Sequence, residues 1–86
     1  MTPATEPRRN KEEIARVGTD IYERRVRPLL KPEDDGSFVA IDITTEEYEV
    51  HKDDYTAVMS LHRRNPGAEV WLLRAGSQAA HKLGLR

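Results

Sequence analysis

The stretch from Gly36 to Gly76, GSFVAIDITTEEYEVHKDDYTAVMSLHRRNPGAEVWLLRAG, carries three apolar strand-like runs and one amphipathic helical pattern. They follow in the order β-β-α-β. Phe38-Val39-Ala40-Ile41-Asp42-Ile43 puts Val39, Ile41 and Ile43 on one face of a strand and Phe38 and Ala40 on the other. Apolar residues on both faces predict a central strand. Thr44-Thr45-Glu46-Glu47 supplies a turn without the Asn-Gly signature that would set its register. Tyr48-Glu49-Val50-His51 alternates and reads as a half-exposed strand. From Asp54 to Arg64 the residues Tyr55, Val58, Met59 and His62 fall three or four apart, with Leu61 beside them, which predicts a helix. Asp53 or Asp54 is suited to cap its start, and Asn65-Pro66-Gly67 stops it. Ala68 to Arg74 is apolar on both faces again; if it runs parallel to the second strand, the crossover is right-handed.

Working outward, Asn10-Lys11-Glu12-Glu13 has the pattern of a capping box. The helix it opens places Ile14, Val17, Ile21 and Tyr22 on one stripe, with Val26 extending it. Arg24, Arg25 and Arg27 crowd the last turn, where positive charge suits the helix dipole, and Pro28 ends the helix near Arg27. Residues 1–9 hold two prolines and no apolar period, so they read as a disordered arm before a single domain over 10–86. Beyond Gly76-Ser77, the spacing of Ala79, Ala80 and Leu83 predicts a short helical turn ended by Gly84. The resulting fold class is α+β, a three-stranded mixed sheet with helices mainly on one face.

Eighty-six residues form one small domain, and 37% hydrophobic against 34% charged residues leaves it a thin core. Domains of this size often gain stability from a partner or a second copy. The absence of cysteine rules out disulfides and thiolate metal sites. No apolar run approaches a membrane span of about 18 residues, and the first residues lack the apolar core of a signal peptide, which points to the cytoplasm. The net charge of −1 is unevenly spread: +3 from Met1 to Lys31, −8 from Pro32 to Met59 and +4 from Ser60 to Arg86. An acidic centre between basic ends is self-complementary, within one chain or between two.

Reactive constellations are weak. His51, His62 and His81 share no metal-ligand spacing, and the pairs Asp34-Asp35, Glu46-Glu47 and Asp53-Asp54 all sit at turns or helix starts, where carboxylates act structurally. Asp42 alone interrupts an apolar strand, and is the carboxylate around which a small metal-dependent hydrolase would be built. Arg24, Arg25, Arg63, Arg64 and Arg74 would make a phosphate-binding patch if the fold gathered them, the basis of an alternative reading as a nucleic-acid-binding regulator. The acidic centre and a sequence pI near 6.3 oppose it. The helix-one stripe either packs on its own sheet or meets a partner, a protein or a second copy, with Arg24 and Arg25 at the rim.

Ile21-Tyr22-Glu23-Arg24, Gly36-Ser37-Phe38-Val39-Ala40-Ile41-Asp42, Tyr48-Glu49-Val50 and Val70-Trp71-Leu72-Leu73-Arg74 resemble a family of small, largely uncharacterised bacterial proteins common in photosynthetic bacteria. The resemblance covers nearly all of the chain after residue 9. It implies a gene beside a second small gene, sometimes a retropepsin-like protease, in an arrangement similar to toxin–antitoxin pairs. It carries over no catalytic residue and no cofactor. The expected function is therefore a non-enzymatic protein-interaction module, antitoxin-like or accessory to a co-encoded protein, and a homodimer. Ile14, Val17, Ile21, Tyr22, Arg24 and Arg25 are its expected contact residues.

Overall fold

The computed structural model describes residues 10–76 and the backbone of His81–Leu85. The expected arm, residues 1–9, lies outside the described residues. The first helix, α1 (Lys11–Ile21), opens on Asn10, whose Oδ1 accepts a hydrogen bond from the backbone N–H of Glu13 at 2.7 Å. It widens into a π-helical turn over Tyr22–Val26 and tightens into a 3₁₀ turn, Arg27–Leu29, that contains Pro28. The widened turn keeps both Tyr22 and Val26 buried on the side that carries Ile14 and Ile21.

The strands are β1 (Phe38–Asp42), β2 (Tyr48–His51), β3 (Val70–Arg74) and β4 (His81–Leu85), with α2 (Asp54–Arg64) between β2 and β3. They form one sheet in the order β2-β1-β3-β4. Every neighbouring pair is antiparallel: Ile41 faces Tyr48 on one side and Trp71 on the other, and Trp71 faces Leu85. The α+β class holds, with β1 inside the sheet as its two apolar faces require. The expected three-stranded mixed sheet becomes four antiparallel strands. β2 and β3 do run in the same direction, but β1 lies between them, so no parallel ladder forms.

The fourth strand replaces the expected C-terminal helical turn; its earlier part, 77–80, lies outside the described residues. In the sequence Leu83 and Leu85 recur with a period of two, a strand signal that the helical spacing of Ala79, Ala80 and Leu83 outweighed.

The helices are not on one face, as expected, but on opposite faces. Val39, Ile41, Ile43, Trp71 and Leu73 pack with Ile14, Ile21, Tyr22 and Val26 of the first helical segment. Ala40, Val70 and Leu72 point the other way and pack with Ala57 and Leu61 of α2. Both inner strands are apolar on both faces, so each face needs a cover. α1 approaches the sheet closely at Gly18, where a Cβ would lie 2.5 Å from Cδ1 of Trp71. α2 approaches through Ala57 and Ala40, both fully buried. Its start is capped by Asp53, whose carboxylate accepts from the backbone N–H and the hydroxyl of Thr56 at 2.8 and 2.9 Å.

Candidate functional site

Of the residues expected to meet a partner, Ile14, Ile21 and Tyr22 are buried beneath the protein's own sheet and Val17 is half-buried against the same core. Packing on the sheet was one of the two outcomes the stripe allowed. Burial pushes the Tyr22 phenol above its usual 10.0, with the nearby Glu23 carboxylate acting the same way. Arg24 and Arg25 stay exposed at the rim. Arg24 pairs with Asp20 at 2.7 Å, and both reach Glu46, at 3.4 and 3.6 Å. Glu46 holds a left-handed backbone, φ 69°, in the β1–β2 turn. The acidic centre and the basic turn that follows α1 thus meet within one chain.

The five arginines of the nucleic-acid reading are not gathered together. Arg24 and Arg25 lie on the α1 side of the sheet, whereas Arg63 and Arg64 lie on α2, on the other side. Arg64 is tied to Glu49 at 3.1 Å and donates to the carbonyl of Tyr48 at 3.0 Å. Arg74 ends β3 beside Phe38 at the start of β1, away from the β1–β2 turn, over the Phe38 ring at 5.2 Å and donating to the carbonyl of Gly36. A duplex needs phosphate contacts along one surface, and this fold presents none that unites the five.

Asp42 is 1% exposed. One of its oxygens accepts from the backbone N–H of Thr44 at 2.9 Å, the other from Nδ2 of Asn65 at 3.1 Å. Asn65 Nδ2 also donates to Glu47 at 2.7 Å. The carboxylate therefore ties the hairpin turn to the end of α2, and its bonds are those of an Asx turn and a helix–turn clamp. Among the described residues no three His, Cys, Asp or Glu side chains converge as metal ligands. His51 bonds Glu49 at 2.8 Å on the edge strand, and His62 is half-buried late in α2.

The surface that the sequence reading missed is the outer side of α2. Ala57 and Leu61 form its inner side, both fully buried, so the expected stripe of Tyr55, Val58, Met59 and His62 is displaced outward. Tyr55 is 70% exposed and Met59 36%, while Val58 is half-buried. Asp54, Tyr55, Val58 and Leu72 line a shallow groove of about 200 Å³ between α2 and the sheet. The charge on α2 is polarised, with Asp53 and Asp54 at its start and His62, Arg63 and Arg64 in its last turn. The carboxylate of Asp53 is held below its usual 3.8 by the Thr56 N–H and hydroxyl. A signal for this orientation was present in the chain: Ala57 and Leu61 stand four apart, and the small Ala57 matches the small Ala40 opposite. A second, larger hollow, about 380 Å³, lies where the first helical segment ends, between Tyr22, Arg27, Lys31 and Ala75.

Comparisons with protein-family models, with curated proteins and with solved structures return no match.

Proposed function

We propose that this chain is a non-enzymatic protein-interaction module that works in the cytoplasm as the antitoxin-like or accessory partner of a co-encoded protein. The observation that carries this reading is the outer side of α2. Its inner side is filled by Ala57 and Leu61, yet it turns a tyrosine ring and a methionine to solvent beside an apolar groove. Tyr and Met are enriched in the cores of interfaces, where a large amphipathic or adaptable side chain gains contact area at small entropic cost. Helix α1 holds its apolar stripe against the sheet, so the docking role expected of it passes to α2, and Arg24 and Arg25 remain engaged with Glu46.

The test is co-expression with the product of the neighbouring gene, followed by affinity capture of the purified pair. Capture is expected, and replacing Tyr55 and Met59 together by Glu is expected to weaken it at least about tenfold, the scale of a lost anchor residue. Both side chains are exposed, so the far-ultraviolet circular dichroism should not change. If the two proteins never associate, or if the double variant is captured as well as the original chain, the reading fails.

A further inference from the structure

The outer side of α2 is laid out so that it matches itself. Tyr55, Met59 and Arg63 stand four residues apart on one exposed ridge. Among the described residues Arg63 has no hydrogen bond, ion pair or ring contact, whereas Arg24, Arg25, Arg64 and Arg74 are each engaged. The ridge thus carries an aromatic ring at one end, a flexible thioether in the middle and an uncommitted guanidinium at the other end.

We propose that the occupant of this face is a second copy of the chain, with α2 packed antiparallel against α2 about a two-fold axis at Met59. The inference rests on the reading of α2 as a docking face and adds a second, weaker occupant to it. Four residues of α-helix rise about 6 Å. An axis at Met59 therefore sets Tyr55 of each copy against Arg63 of the other, and an isologous interface makes that contact twice. A guanidinium stacks on a phenol ring, and Arg does so more readily than Lys. Further out, the acidic start of each helix, Asp53 and Asp54, comes near the basic last turn of the other. A parallel arrangement would instead set like charges side by side. Helix dipoles oppose one another favourably in the antiparallel pair. Three ridge residues a side cover less than the roughly 800 Å² per partner of a standard interface, so the dimer is weak and forms at high concentration.

Sedimentation equilibrium on the full chain, from about 10 μM to about 1 mM, brackets a dimer of that strength. The weight-average mass is expected to climb from 9.8 kDa toward twice that value. Arg63→Glu should abolish the climb. Tyr55→Arg combined with Arg63→Glu should restore it, because the exchange keeps a complementary pair across the axis. Circular dichroism confirms that each variant is folded. A constant mass at the highest concentration, an Arg63→Glu variant that associates like the original chain, or a double exchange that fails to restore association each overturns the proposal. A monomeric chain whose Tyr55→Glu, Met59→Glu form loses capture of the co-encoded protein would remove the second copy and leave the proposed function standing. A dimer with no hetero-partner would do the reverse.

Discussion

At the residue scale, Asp42 shows how an apparent reactive group becomes a structural one. A carboxylate within an apolar run attracts a catalytic reading, yet its two oxygens accept from Thr44 and Asn65 and so close the hairpin against α2. Removing it leaves those donors without their partner, a loss of about 1–3 kcal/mol for a buried hydrogen-bonded group. Urea unfolding of Asp42→Ala should show a destabilisation of that order, and Asp42→Asn, which keeps an acceptor for Thr44, a smaller one. Glu46 makes a related point. Its left-handed backbone suits glycine or asparagine better, but the glutamate places a carboxylate within reach of both Arg24 and Arg25. Asp42 was singled out from its neighbours in sequence, whereas the bonds that define its role come from Asn65, twenty-three residues away, which only the folded chain brings near.

At the element scale, the contact between α1 and the sheet depends on Gly18. A helix-interior glycine is worth about 1 kcal/mol less than alanine on propensity alone, so Gly18→Ala on an open surface would stabilise. Here the added methyl would stand 2.5 Å from the Trp71 ring, and overpacking of this kind typically costs about 1–3 kcal/mol or more. Thermal unfolding should therefore show a lower midpoint for Gly18→Ala, and adding Trp71→Phe should not recover it, because phenylalanine keeps the Cβ, Cγ and Cδ1 atoms that the methyl would meet. For α2 the sensitive point is its cap. The folded-state pKa of Asp53 lies below 3.8, so its contribution is present above that pH and is lost as pH falls through the lower folded value. Protection of the Thr56 amide, its exchange rate relative to the intrinsic rate at each pH, should weaken as pH falls below 3.8, and that step should vanish in Asp53→Asn. The elements themselves were legible from local signals. Asn10 and Asp53 cap the helices, Asn65-Pro66-Gly67 ends the second, and Val39, Ile41 and Ile43 alternate with Ala40 as a two-faced strand requires. The facing of α2 was less legible because Ala57, which points inward, adds little to a hydrophobic pattern, whereas the outward Tyr55 and Met59 add much.

At the scale of the whole molecule, sheet order and the distribution of charge were beyond a linear reading, since both depend on which segments meet. The two-sided apolar character of β1 and β3 already required helices on both faces, and those helices then carry Arg24 and Arg25 to one side and Arg63 and Arg64 to the other. With its cationic groups divided and mostly paired, the chain should pass through immobilised heparin even at about 50 mM salt, where a protein making several phosphate contacts would be retained. Strong retention, lost stepwise as Arg63 and Arg74 are replaced, would restore the nucleic-acid reading. The bond from Arg64 to the carbonyl of Tyr48 has a consequence of another kind. β2 is short and lies at the margin of the sheet, where spare acceptors invite the recruitment of foreign strands and growth into fibrils. One such acceptor is already occupied by a charged side chain from the molecule's own helix, so α2 withholds it from a foreign strand along that margin.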